Sequence, residues 1–116
     1  MRTASLGERS ATSAQVRFDR AELKKILAIY GRMVAAGEWR DYAIDFLDDR
    51  AVFSIFRRSS EMPLFRVEKT PRLRARQGQY AVIATGGQVL KRGPVLGNVL
   101  SVLERKLIRA LAGQAS

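Results

Sequence analysis

The spacing of apolar positions changes twice along the chain. From Asp19 onward, Leu23, Ile26, Leu27, Tyr30, Met33 and Val34 recur at the three- and four-residue intervals of an amphipathic helix. Asp19 suits the N-cap because its carboxylate can accept an unpaired backbone N–H. Glu22 follows three residues later, so the pair reads as a capping box with Asp in the Ser/Thr place. Gly31 interrupts this helix, at a cost of up to about 1 kcal/mol relative to Ala. Its missing side chain suits a close approach of the helix to a sheet. Gly37 supplies the left-handed position that ends it. Trp39 comes next and is expected to close the edge of the core, given the large area a tryptophan buries.

The period then falls to two. In Asp41–Leu47, Tyr42, Ile44 and Phe46 share one face while Ala43 and Asp45 take the other. Asp48-Asp49-Arg50 predicts a tight turn, and Ala51–Arg58 a returning strand. Residues 59–63 punctuate the chain, and Leu64–Thr70 resumes the extended pattern, with Pro63 tolerated where a strand begins. Pro71–Gly78 reads as a loop, Gln79–Thr85 as a strand, Gly86-Gly87 as a hairpin turn and Gln88–Arg92 as the last strand. The helical period returns after Gly93-Pro94, with proline read at the first helical position. Leu96, Val99, Leu100, Leu103, Leu107, Ala110 and Leu111 form the stripe and Gly113 is the stop.

The order α-β-β-β-β-β-α with short connections predicts an α+β domain. Its antiparallel sheet has about five strands, and the N-terminal and C-terminal helices pack together on one face. Residues 15–112 form the single domain. Residues 1–14, rich in Ser, Thr, Ala and Gly without periodicity, read as a flexible tail. Leu47, Phe56, Leu64 and Tyr80 do not all fit on the covered face, so apolar area is expected on the open one. Pairing of two copies through that face or a sheet edge, giving a homodimer, is a further expectation.

Composition narrows the chemistry. The 116 residues suit one domain, and 47% apolar content is enough for a core. No stretch reaches the roughly 18 apolar residues of a membrane span, and the N-terminal residues lack the apolar segment of a secretory leader. A cytoplasmic location is the expectation, in keeping with the absence of cysteine. Cysteine and histidine are both missing, which removes thiol- and imidazole-ligated metals and the Ser-His and Cys-His nucleophile systems. Asp41, Asp45, Asp48 and Asp49 cluster in sequence, but turn and strand positions account for them without a metal. The run from Gly86 to Gly93 lacks the spacing of a phosphate-binding P-loop, and it joins strand to strand. No catalytic residue, metal or cofactor is assigned.

Charge is what remains. The formal net charge is +10; residues 1–49 carry eight Lys/Arg and eight Asp/Glu, whereas residues 50–116 carry thirteen Lys/Arg against three Glu. The imbalance includes Arg57, Arg58, Arg66, Lys69, Arg72, Arg74, Arg76, Lys91 and Arg92, mostly arginines, whose guanidinium fork matches phosphate. Tyr80 or Phe56, where exposed, would add a stacking platform. The helix start after Lys91 and Arg92 suggests a weaker, single-phosphate site. These residues predict a non-enzymatic binding domain that contacts RNA or DNA through phosphates. The alternative is a protein-interaction or homodimerisation module binding an acidic partner protein.

Three segments carry a resemblance. The runs Tyr30-Gly31-Arg32-Met33-Val34-Ala35-Ala36-Gly37-Glu38-Trp39-Arg40-Asp41-Tyr42, Ala51-Val52-Phe53-Ser54-Ile55-Phe56-Arg57-Arg58 and Gly87-Gln88-Val89-Leu90-Lys91-Arg92-Gly93 are similar to a family of small alphaproteobacterial proteins known as a domain of unknown function. The similarity extends from about Val16 to Leu111. It implies a bacterial, cytoplasmic protein and brings no ligand or activity with it.

Overall fold

The structure, a computed structural model, describes residues 15–58 and 62–115. The tail expected over 1–14 lies outside them. Helix α1 spans Arg20–Ala35 and starts with the capping box read from the sequence: Glu22 N donates to Asp19 Oδ1 at 2.8 Å and Asp19 N to Glu22 Oε1 at 2.7 Å. It ends where Gly37 takes φ +79° and donates to the Val34 carbonyl at 2.9 Å, the arrangement that ties off the last unpaired carbonyls. Strands β1 (Asp41–Phe46), β2 (Ala51–Phe56), β3 (Phe65–Lys69), β4 (Tyr80–Ala84) and β5 (Val89–Gly93) form one antiparallel sheet in sequential order. Helix α2 spans Leu96–Ala115 and lies against α1, β4 and β5. This is the α+β arrangement expected.

Register assigns the faces. Ile44 pairs with Phe53, Phe53 with Val67 and Val67 with Val82, so these residues line up across four strands on the side covered by the helices. Ile26, Ile29 and Met33 of α1 and Leu96, Val99, Leu100, Leu103 and Leu107 of α2 close the core over them. Each such buried aliphatic or aromatic side chain contributes about 1.5–3 kcal/mol relative to exposure. Trp39 is buried at the core's edge, as expected, in a cluster with Tyr30, Tyr42, Phe53 and Phe65. The opposite face carries rows set by the same registers, among them Asp45–Val52–Glu68–Ala81–Arg92. Val52, Ala81 and Ile83 bring apolar side chains to that face, and all three are buried.

Four expectations need correction. The buried stripe of α1 runs through Glu22, Ile26, Ile29 and Met33, while Leu27 and Val34 stay exposed at its flank. The helix is rolled so that the Glu22 carboxylate, which a hydropathy pattern places on the polar side, reaches into the sheet. Gly31 faces outward, and a methyl group there would meet nothing within 4 Å, so it serves no close approach. Pro94 precedes α2 instead of opening it: Gly93 still belongs to β5, and Val95 is the residue whose carbonyl accepts from Val99 N at 3.2 Å. Gly113 does not stop α2, which continues to Ala115.

Candidate nucleic-acid interface

One end of the sheet carries several of the chain's arginines, for reasons that are local. The two-residue turn at Asp48-Asp49 is closed by Leu47 N donating to the Arg50 carbonyl at 2.8 Å, which leaves Arg50 at the mouth of β2. Ala51 pairs with Lys69, so this turn lies beside the connection that leaves β3. That connection begins with a 3₁₀ turn at Pro71–Leu73, started by a proline whose fixed φ suits the first position. The Leu73 carbonyl then accepts the N–H groups of Arg76, Gln77 and Gly78 at 3.1, 3.1 and 2.9 Å. Gly78 sits at φ +95° against the backbone of Gly93: a methyl group on it would stand 2.6 Å from Gly93 Cα. A side chain is excluded there by contact as well as by conformation. The loop is thus pinned at both ends by backbone, and Arg72, Arg74 and Arg76 project from a framework already ordered.

The open face adds to this end. Glu68 is buried in the sheet's central strand and holds Arg66 Nε at 3.3 Å and Arg50 Nη1 at 3.7 Å. Arg92, two strands away in the same row, donates from Nη1 to the Gly78 carbonyl at 3.4 Å, at the base of the arginine loop. Asp49 stands 4.0 Å from Arg72, whose side chain is 73% exposed, a separation and exposure at which an ion pair contributes little. Phe56 is half-buried on this open face, at the opposite end of β2.

The residues picked out by sequence therefore divide. Arg72, Arg74 and Arg76 lie in the β3–β4 connection and Arg92 reaches its base at Gly78; Arg66, near the start of β3, shares Glu68 on the open face with Arg50, which the sequence offered only as a turn residue. Arg57 and Arg58 leave β2 at the far end, where Arg57 Nη2 meets Glu38 Oε1 at 3.4 Å. Lys91 is exposed on the edge strand, opposite Val82 and so on the helix side of the sheet. Lys69 points into the interior: its ammonium lies 2.8 Å from Glu22 Oε1 and 2.9 Å from the Arg17 carbonyl. Tyr80 is buried beside it and its hydroxyl donates to Glu22 Oε2, so it offers no stacking platform. Burial, then the hydrogen bond to Glu22, then the charges of Glu22 and Asp19 push the Tyr80 phenol well above its ordinary value. Alternation alone cannot separate Lys69 from its neighbours, because the acid that claims it lies 47 residues away. Arg50 carried a usable signal: the residue after a two-residue Asp turn stands just ahead of the next strand and can reach across its face.

Among the described residues, no helix is long and apolar enough to cross a membrane. No curated protein and no solved structure matches the chain. A family model described as "Protein of unknown function (DUF2794)" matches residues 16–100, from the lead-in to α1 as far as the first turns of α2. By that match, which takes in well over half of its length, the chain belongs to the DUF2794 family.

Proposed function

We propose that the protein is a non-enzymatic domain that binds nucleic acid through the phosphate backbone, using the arginine end of its sheet. The observation that carries this is the loop bearing Arg72, Arg74 and Arg76: exposed guanidinium groups at alternate positions on a backbone already tied by its own hydrogen bonds. A pre-ordered donor array loses little conformational entropy on binding, and a guanidinium pairs with phosphate in a two-pronged fashion. Arg92 and Arg50 extend the array along the open face. Phosphate contacts of this kind position a strand without reading its sequence.

Anisotropy titrations of labelled single-stranded DNA, single-stranded RNA and duplex DNA test the reading. If about five phosphates are neutralised, log K falls against log salt with a slope near −4.5 on duplex and near −3.5 on single strands. Replacing Arg72, Arg74 and Arg76 together by alanine weakens binding to unrelated sequences about equally, whereas Lys24→Ala with Lys25→Ala, on the exposed side of α1, leaves it unchanged. Absence of binding at low salt, or a slope near zero, overturns the proposal. Binding of an acidic polypeptide but no oligonucleotide would assign the same loop to an acidic partner protein instead.

A further inference from the structure

A second site lies at the other end of the molecule and is independent of the reading above. Between the C-terminal half of α2, the start of β3 and the segment after α1 there is an open cleft of about 450 Å³. That volume falls within the usual range for small-molecule sites. Its apolar wall includes Trp39 and Phe65, with ring centroids 6.2 Å apart and planes inclined by 52°, together with Met33 and Leu64. Its rim is cationic: Arg57, Lys106 and Arg109 converge there, with Glu38 as the acid. The three cations differ in how far they are engaged. Arg57 lies 3.4 Å from Glu38, whereas Lys106 and Arg109 have no carboxylate within ion-pair distance among the described residues. The Lys106 ammonium sits 5.4 Å from the centre of the Phe65 ring, which holds the charge over the apolar wall.

We infer that this cleft binds a small organic anion with a planar apolar body, its carboxylate or phosphate on Lys106 and Arg109 and its body against Leu64 and Phe65, in front of the buried Trp39. The two halves of the site demand the two halves of such a ligand. An inorganic anion leaves the aromatic wall wet, and a neutral apolar molecule leaves the two free cations unmatched. The cations stand beside a low-dielectric surface, where attraction to an anion is stronger than in open water.

Trp39 is the protein's only tryptophan and lines the cleft, so its emission reports occupancy directly. The full chain is titrated with 2-naphthoate, 1-naphthyl phosphate, 2-naphthol and naphthylmethylamine. Both acids shift the emission saturably, the neutral naphthol binds at least about tenfold more weakly, and the amine does not compete. Tighter binding of the phosphate marks a phosphate monoester as the ligand class; tighter binding of the carboxylate marks an organic acid. Lys106→Glu with Arg109→Glu abolishes saturation while the far-ultraviolet dichroism stays unchanged. Lys106→Met weakens binding without introducing a repulsive charge, and Arg57→Met weakens it less because Glu38 already engages that side chain. Equal affinity for naphthol and naphthoate overturns the inference, as does undiminished acid binding in the folded Lys106→Glu/Arg109→Glu variant. No saturable change with either acid overturns it too.

Discussion

Replacing Glu22 by alanine should be among the most damaging single changes outside the apolar core. The carboxylate is 90% buried at the start of α1 and serves three groups at once: the Asp19 N–H at 2.7 Å, the Lys69 ammonium at 2.8 Å and the Tyr80 hydroxyl. Removing it leaves a largely buried ammonium with only the Arg17 carbonyl, a buried phenol without its acceptor and an unpaired donor at the helix start. Breaking a buried ion pair from one side costs about 3–5 kcal/mol, and a lost helix cap about 0.5–2 kcal/mol. The two overlap at one oxygen, so about 4 kcal/mol is expected in total. For a domain of this size that lowers the melting temperature by roughly 15 °C or more, and it is a large part of a stability of about 5–15 kcal/mol. Urea unfolding followed by the fluorescence of Trp39 measures it. The companion variant Lys69→Met strands the carboxylate instead, and the double variant should cost less than the two single losses combined, by about 0.5–3 kcal/mol. A Glu22→Ala loss below about 1 kcal/mol, or strict additivity in the cycle, would refute the view that this network fastens α1 to β3 and β4.

Four other outcomes follow from named positions. Gly78→Ala should destabilise by roughly 3 kcal/mol, because the new methyl meets the Gly93 backbone at a positive φ; Gly86→Ala, with nothing within 4 Å, should stay within about 0.5 kcal/mol, and urea midpoints decide both. Gly31→Ala should stabilise by about 0.5–1 kcal/mol, since the position is exposed, helical and free of neighbours; a loss in thermal unfolding would mean that the glycine is needed there. The raised Tyr80 value means that the folded protein keeps a proton the unfolded chain releases above its ordinary pKa of 10, so this contribution is complete below pH 10 and is lost as the pH climbs further. Melting temperatures from pH 8 upward, at roughly half-unit steps, should therefore fall more steeply past 10 in the native protein than in Tyr80→Phe. Glu68→Gln should release Arg50 and Arg66, costing about 1–3 kcal/mol of stability while making the duplex salt slope steeper by about 1; an unchanged slope would show that neither arginine reaches the strand.

The strands and the two helices were legible because each is written in a local period: two through Tyr42, Ile44 and Phe46, three and four through Leu96, Val99, Leu100 and Leu103. The caps were legible where they are made by neighbours, as with Asp19 and Glu22. What escaped depends on contacts between residues far apart. Glu22 belongs to a capping box and also to a core ion pair with Lys69, and only the first is visible within a four-residue window. The roll of α1 follows from that second role, which explains why Leu27 and Val34 face outward although the helical period is right. The basic residues were read from the sequence as a set, but a set has no geometry. Lys69 lies one position from Thr70 and two from Pro71, yet it ends up inside while the arginines that follow end up outside.

That division also explains how a domain with so many cations holds together. The arginines and lysines of the second half do not repel one another as a block, because several are matched: Lys69 by Glu22, Arg57 by Glu38, and Arg66 and Arg50 by the shared Glu68. The least exposed of these cations, Lys69, has its acid at 2.8 Å, as charge burial requires, since an unpaired ion in the interior costs several kcal/mol. Among the described residues, the cations without a close acid include Arg72, Arg74 and Arg76 on the pinned loop and Lys106 and Arg109 beside the cleft, along with others such as Lys24, Lys25, Arg40 and Lys91. Both groups sit on a surface arranged before any ligand arrives, one on hydrogen-bonded backbone and the other over packed rings. Solvation alone would require neither the loop's locked backbone nor a lysine held over phenylalanine. An anion arriving at either place meets cations whose framework is already ordered, so little ordering is left for binding to impose.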